Sequence, residues 1–481
     1  MELIRTGNSD LDEVLGGGFA PGSLVVVAGS PGTGKTILAQ QVVFANATAE
    51  RPALYYTTLS EPHSKLVRHL ESFEFFDRGK LGDSVSFLHI TEMLQGVFSG
   101  ERGIDAFREE VVEKAFEQSP SFVVIDSSKA LHHFADDSRL REAIFSLAST
   151  VSHTGAVLML VGEYTKDELE TAPEFAVADG IIHLGVSGEG PMERRWLRVV
   201  KMRGRDYLGG EHTFQISRKG YKLFPRLESI APSRSPDVIG RHGFGVDKLD
   251  EMTGGGLPSG QGTLVMGPSG SGKTILASHF ATDGIAAGQR VLFLSLEETV
   301  KELLEKGAAF GFGLEAATES GNLKLAYLPP MELEIDELGG QLREVIDEFD
   351  PHRVVVDGIA DIVLTSRRMG RFPNFLWALM STLRAAEASV ILTYEVAAIG
   401  GVNQLDAISY LFHNVIVLRY MERGSELGRV LNVLKMRSSA HAKGLLQFEI
   451  ADDGLNPIGS PGDVKSTLGW TVIGGPTGGT S

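Results

Sequence analysis

The chain has 481 residues, 42% of them hydrophobic and 22% charged, with a net charge of −17 and no cysteine. That length exceeds one ordinary core and predicts at least two domains. The missing cysteines exclude disulfides, thiolate metal sites and cysteine nucleophiles, and the acidic balance counts against nucleic acid as a default partner. No run approaches the ~18 apolar residues of a membrane span, and MELIRTGNSD lacks the basic start and apolar core of a signal peptide. The expectation is a cytoplasmic protein without a membrane partner.

In chain order, a GGG turn inside Leu11–Ser23 leads into an apolar run, Ser23–Ala28, that reads as a buried strand. The loop GSPGTGKT follows: Gly29, Ser30, Pro31, Gly32, Thr33, Gly34, Lys35 and Thr36. Glycines at these spacings let backbone N–H groups surround phosphate oxygens, while the lysine reaches the β- and γ-phosphates and the threonine hydroxyl meets Mg²⁺. A helix-like stretch comes next and adds the positive end of its dipole. ATP and Mg²⁺ are therefore the expected cofactors. Ala53–Glu61 reads as a second strand, and Ser121–Leu131 contains a third that closes on Asp126, a metal-site carboxylate beside Thr36. His132, His133 and His153 show no second ligand cluster. WLRVVKMRG then carries Lys201 and Arg203, and Leu227–Gly240 reads as the join between modules.

The same landmarks then recur. Leu249–Gly262 repeats the GGG turn, and Thr263–Met266 leads into GPSGSGKT: Gly267, Pro268, Ser269, Gly270, Ser271, Gly272, Lys273 and Thr274. Lys273 lies 238 residues after Lys35. Val291–Glu298 ends in Glu297 and Glu298, candidates to position the attacking water, where the first module has Ser60 and Glu61. One carboxylate of the pair is absent there, so the first module is expected to hydrolyse slowly, rely on Glu61 alone, or hold nucleotide structurally. Met331–Asp350 reads as an amphipathic helix with an acidic wet face. Arg353–Ile362 contains a strand ending on Asp357, which is paired with Thr274 as the second metal site, and VLNVLKMRS carries Lys435 and Arg437. Strands separated by helical stretches predict, in each module, a mostly parallel α/β sheet with helices on both faces. The expected modules are residues 1–230 and 240–459, followed by a Gly-rich tail over 460–481 that is expected to be disordered.

The GGG turn, P-loop, strand-end Glu-Glu, strand-end Asp and late KMRG or KMRS together resemble the KaiC family of RecA-like P-loop ATPases, across about residues 1–450. The resemblance implies two tandem RecA-like domains that assemble as a hexameric ring with ATP between neighbours. It makes Lys201, Arg203, Lys435 and Arg437 trans contacts to an adjacent subunit's phosphates. It also implies serine/threonine autokinase activity in the second domain, with Ser409 and Tyr410 at the acceptor positions, the second acceptor having become tyrosine. The tail departs from that of the family's clock members, whose longer C-terminal segment binds an activator. A regulatory ATPase with regulatory protein partners is therefore the expectation. A RecA/RadA-like DNA-dependent ATPase and a nucleotide-switched scaffold with little turnover stay open as alternatives.

Overall fold

The computed structural model describes residues 2–57, 63–90, 101–165, 167–189, 192–230, 232, 240–329, 334–360, 362, 370–396, 409–423, 426–437, 440–460 and 467–468. The chain divides into two compact units, Met1–Ile230 and Ala231–Ser481. Unit 1 has strands β1 (Leu24–Gly29), β2 (Ala53–Thr57), β3 (Val85–His89), β4 (Phe122–Asp126), β5 (Val157–Glu163), β6 (Gly180–Glu189), β7 (Met192–Met202), β8 (His212–Ser217) and β9 (Gly220–Phe224). Unit 2 opens with a small ladder of β10 (Arg241–His242) and β11 (Leu257–Pro258). Its main sheet contains β12 (Gly262–Gly267), β13 (Val291–Ser295), β14 (Leu323–Tyr327), β15 (Arg353–Asp357), β16 (Ser389–Glu395), β17 (Asn414–Arg423), β18 (Glu426–Met436), β19 (Leu446–Ala451) and β20 (Gly454–Gly459). A short β21 (Thr467–Leu468) pairs with β17.

The two sheets have one topology. Unit 1 runs β3-β2-β4-β5-β1-β6-β7-β8-β9 and unit 2 runs β14-β13-β15-β16-β12-β17-β18-β19-β20. In each, the strands from the first edge through β6 or β17 are parallel, and the remaining three extend the sheet antiparallel. The parallel part explains the apolar runs, because helices cover both faces. Along β1, Leu24, Val26 and Ala28 join one core with the helices Glu101–Gln118 and Asp137–Ser152, while Val25 and Val27 join the other with helix Lys35–Asn46. Within the acidic segment predicted as an amphipathic helix, the helix spans Ile335–Phe349, and Leu338, Leu342 and Ile346 are buried at helical spacing.

The units pin their metal-site strands differently. At the start of β4, Phe122 is fully buried and packs edge-on against Phe19 at 6.2 Å. The matching position in β15 is Arg353, only 2% exposed. Its guanidinium donates to Gln289 Oε1 at 2.6 Å, Gly243 O at 2.7 Å, Phe280 O at 2.8 Å and Asp283 Oδ2 at 2.8 Å. Three of these acceptors belong to the P-loop helix Lys273–Ala286 or the turn just after it, so the arginine fixes that helix to the strand ending in Asp357. Burial depresses the Arg353 pKa while Asp283 opposes the shift. Arg353→Met is expected to lower unit 2 stability by about 3 kcal/mol, because the Asp283 carboxylate and two carbonyls lose their donor. Urea unfolding should show an earlier transition for one unit and an unchanged one for the other.

Candidate active sites in the two units

Each P-loop leaves the end of the central strand and enters its helix through a glycine that must adopt a left-handed conformation. The N-cap φ values are 89° for Gly34 and 101° for Gly272, and no side chain caps either helix. The first-turn N–H groups of each helix are thus offered to an anion. Lys35 Nζ donates to Ser30 O at 2.7 Å and Lys273 Nζ to Pro268 O at 3.0 Å, which folds each ammonium over its loop. Gly29, Pro31, Gly32, Thr33, Gly267, Ser269, Gly270 and Ser271 complete the loops, with Thr33 Oγ1 donating to Ser30 O at 2.8 Å.

A carboxylate from the strand two positions away meets each loop. Asp126 is 7% exposed, accepts from Tyr55 Oη at 2.7 Å, and has the Thr36 hydroxyl near enough to favour its ionised form. Burial raises its pKa, against the opposing pull of Tyr55, Thr36 and Lys35. Asp357 is 1% exposed and accepts from Thr393 Oγ1, with the Thr274 hydroxyl near enough to favour its ionised form; burial raises its pKa as well. Its Oδ2 is buried with no hydrogen-bond partner among the described residues, an oxygen suited to a hard cation. Thr36 with Asp126, and Thr274 with Asp357, therefore fit Mg²⁺ in donor type and placement.

Glu297 and Glu298 diverge. Glu298 is ion-paired with Lys306 on the helix Val300–Ala309, and its N–H is held by Ser295 Oγ at 2.8 Å. Glu297 packs on the turn after Asp357: a Cβ on Gly358 would stand 2.5 Å from Glu297 Cγ and 2.8 Å from its Oε1. The structure thus packs Glu297 on the aspartate turn, while Glu298 with Lys306 is close enough to act on the Asp357 charge. Ser60 and Glu61 lie outside the described residues.

Two further charged groups at each site escaped the motif reading. β5 and β16 end on Glu163 and Glu395, which sit in register with Gly29 and Gly267. Glu395 Oε2 lies 3.5 Å from Lys273 Nζ, while Glu163 acts on Lys35, whose pKa burial lowers and Glu163 and Asp126 raise. Arg195 on β7 joins Gly32, Gly34, Lys35, Asp126 and Glu163 around a cavity of about 550 Å³. Its counterpart Arg429 donates to Gly270 O at 3.2 Å and lies over the Tyr420 ring at 5.7 Å. Both pairs recur between the modules at offsets of 232 and 234 residues, a signal that repeat alignment carries.

Lys201, Arg203, Lys435 and Arg437 stand elsewhere. Ile181 pairs with both Val26 and Lys201, toward the start of β1, whereas the P-loop leaves its other end at Gly29. Arg203 Nη1 donates to Asp179 Oδ1 at 3.2 Å, and Asp179 Oδ2 accepts from Leu24 N at 3.0 Å. In unit 2, Lys435 Nζ donates to Ser409 O at 3.1 Å and Phe412 O at 2.8 Å, and Arg437 Nη2 donates to Tyr410 O at 2.9 Å. Burial, with the neighbouring arginine, lowers both lysine pKa values. Just before each lysine the hairpin carries the same register shift, between Ile181/Ile182 and between Val415/Ile416. The extra residues, Val200 and Leu434, are exposed. Ser409 opens the short 3₁₀ turn Ser409–Leu411, and Tyr410 is exposed. His132 is 2.7 Å from Glu174 Oε1, and no cluster of three metal-ligating side chains occurs among the described residues. No described helix is long and apolar enough to cross a membrane.

Comparison with known proteins identifies the family. The chain is 27% identical over 472 residues to the Circadian clock protein KaiC3 of Synechocystis sp., covering 96% of this chain and 92% of that protein. It is 28% identical over 467 residues to the Circadian clock oscillator protein KaiC 1 of the same genus, covering 94% and 88%. Against the Circadian clock oscillator protein KaiC of Picosynechococcus sp., identity is 27% over 468 residues, covering 94% and 89%. A sequence model described as ATPase: KaiC matches residues 4–228 and again 243–460, so the chain belongs to the KaiC ATPase family and carries its domain twice.

Proposed function

We propose that this chain is an ATP-hydrolysing regulatory protein of the cytoplasm whose two units form ATP sites between neighbouring copies in a ring, a hexamer by family resemblance. The observation that carries the reading is the separation within each unit. Loop, metal aspartate and β5- or β16-end glutamate gather at one end of the central strand, and the lysine–arginine pair sits at the other end. About three residues of strand, roughly 10 Å, divide the level of Lys201 from the start of its own loop, so its natural phosphate is another copy's.

In this reading Lys273 and the Gly270–Thr274 backbone hold the β- and γ-phosphates, and Thr274 and Asp357 hold Mg²⁺. The ion, when bound, neutralises charge on the phosphate oxygens. Glu297 takes a proton from water as its oxygen attacks the γ-phosphorus. The bond to the bridging oxygen breaks, and ADP leaves with the electron pair. Lys435 and Arg437 of a neighbouring copy stabilise the charge that develops. Unit 1 uses Lys35, Thr36 and Asp126 in the corresponding places, with Lys201 and Arg203 from the neighbour; Ser60 stands at the place of Glu297, so Glu61, the counterpart of Glu298, is the carboxylate left to take the proton.

A second reading, phosphoryl transfer to Ser409, is favoured by one contact set. The backbone carbonyls of Ser409 and Tyr410 accept from Lys435 and Arg437, so the acceptor turn travels with the cations proposed to reach a neighbour's γ-phosphate. The Ser409 oxygen would replace water, with its proton passing to the neighbour's Glu297 and ADP leaving.

Steady-state ADP release from full-length protein tests the main reading. Lys273→Ala should remove most turnover, Lys35→Ala a smaller part, and the double variant all of it, while Glu297→Gln should lower the unit 2 share about 10²-fold. Turnover that survives the double variant would refute the assignment; turnover that appears only with single-stranded DNA would favour the motor alternative. Native mass spectrometry with and without Mg²⁺-ATP tests the ring. Assembly should need nucleotide and weaken in Arg203→Ala and Arg437→Ala, and a monomer under both conditions would contradict it. Intact-mass and peptide analysis after incubation with Mg²⁺-ATP should show one phosphoryl group at Ser409 that is lost in Ser409→Ala. An unmodified chain that is still hydrolysing ATP would remove the second reading.

A further inference from the structure

Beneath the unit 1 cavity lies a buried polar cluster that the hydrolytic machinery does not use. Glu174, on the short helix Pro173–Val177, is 0% exposed. Its Oε1 accepts from Tyr164 Oη at 2.6 Å and lies 2.7 Å from His132 Nε2, while its Oε2 has no hydrogen-bond partner among the described residues. Tyr164 gives its single hydroxyl proton to this carboxylate, so its oxygen becomes the acceptor for Ser128 Oγ at 3.0 Å. Ser128, 1% exposed, also lies 3.2 Å from Val161 O. The Tyr164 ring packs edge-on against Phe175 at 4.9 Å. It also lies against the backbone of Gly162, where a Cβ would come within 2.5 Å of it.

The cluster is placed where it can act on the site. Tyr164 directly follows Glu163, and Ser128 stands two residues after Asp126; Asp126, Ser127, Gly162 and Glu163 all line the nucleotide cavity. The Tyr164–Ser128 bond therefore ties the end of β5 to the turn after β4. Burial and the adjacent carboxylate push the phenol well above its ordinary range, while the bonds from His132 and Tyr164 overcome burial and keep Glu174 below the usual carboxylate value. The bond is thus a charge-assisted one between a protonated phenol and an ionised carboxylate across the neutral pH range.

Unit 2 shows that the fold does not require this arrangement. Aligned on Asp357 and Glu395, the positions of Ser128 and Tyr164 are Ile359 and Val396, and Ile359 is 3% exposed. The same sheet closes there with apolar side chains. A fully buried carboxylate costs several kcal/mol more than such packing unless its bonds compensate. That Ser128 and Tyr164 give way to Ile359 and Val396 in unit 2 points to the unit 1 site rather than to a need of the fold.

We infer that Tyr164, held by Glu174 and His132, is a positioning residue that fixes the β5 end bearing Glu163 against the turn bearing Asp126 in the unit 1 site. This deepens the hydrolytic reading of unit 1 and rests on it for the first of two readouts. The test uses full-length protein carrying Lys273→Ala, so that unit 1 alone contributes. Tyr164→Phe keeps the ring and removes only the hydroxyl. At temperatures below the unit 1 unfolding transition it should lower kcat about tenfold and leave KM for ATP within about twofold, while the transition itself moves down because Glu174 loses a donor; Ser128→Ala should lower kcat in the same direction. In the Lys35→Ala background, where unit 2 alone turns over, Tyr164→Phe should change nothing. Unchanged kcat in the first background, or an equal loss in both, overturns the inference. If the Lys273→Ala parent hydrolyses no ATP, unit 1 hydrolysis itself fails, and the second readout decides: equilibrium binding of ATP with and without Mg²⁺. Tyr164→Phe should then cut the Mg²⁺-dependent gain in affinity about fivefold, and an unaltered gain refutes the positioning role.

Discussion

Everything at the two sites depends on keeping an acid buried at the end of an apolar strand. Asp126 and Asp357 lie in sheet interiors where ionisation is opposed by lost hydration, and both have upward pKa shifts for that reason. Each accepts from one hydroxyl, Tyr55 in one unit and Thr393 in the other, and has the P-loop threonine, Thr36 or Thr274, near enough to favour its ionised form, so that Tyr55 with Thr36 and Thr393 with Thr274 make the two sets. The P-loop threonine is the shared member of both sets. It links the strand-end acid to the phosphate loop and makes two separate segments one site. The central position of β1 and β12 follows from the same need, since only a strand between β5 and β6, or between β16 and β17, can present its loop beside the neighbouring acids.

The modules share this frame and depart from each other around it. In unit 1 an aromatic, Phe122, starts the metal-site strand and a polar cluster braces its end. In unit 2 a buried guanidinium, Arg353, starts the strand, and Ile359 follows its end. The charged element thus sits under opposite ends of equivalent strands. The catalytic candidates differ too: unit 2 has Glu297 packed on the Asp357 turn and Glu298 paired with Lys306, where the unit 1 sequence has Ser60 and Glu61. A duplicated fold with unequal supports under its acids is what a division of labour between two ATP sites calls for.

Much of this frame was legible in the residues because it is written locally. Ser23–Ala28 and Thr263–Met266 are apolar on both faces, the P-loops carry their glycines at fixed spacing, and Asp126 and Asp357 close short apolar runs. What could not be read depends on strand order. Glu163 and Arg195 reach the loop because β5 and β6 flank β1 and β7 follows, and no spacing along the chain reveals that adjacency. The antiparallel extension from β7 to β9 was hidden for a related reason: its strands mix buried with exposed positions and lack the continuous apolar signal of the parallel core. Arg353 was read as the first residue of a strand, and its burial follows from the carbonyls and carboxylate that converge on it from a distant helix.

The extra residue in each long hairpin has a consequence of its own. Successive side chains on a strand alternate faces, so Val200 and Leu434 set the phase of everything after them. The lysine and arginine beyond each bulge owe their side of the sheet to that one inserted position. Deleting Val200 would keep the loop, the acid and the core strands, and would turn Lys201 and Arg203 over to the opposite face. The side on which these cations stand is in this sense a matter of counting: one residue more or less in a solvent-facing hairpin decides which face of the sheet carries them, while the phosphate loop keeps its own place.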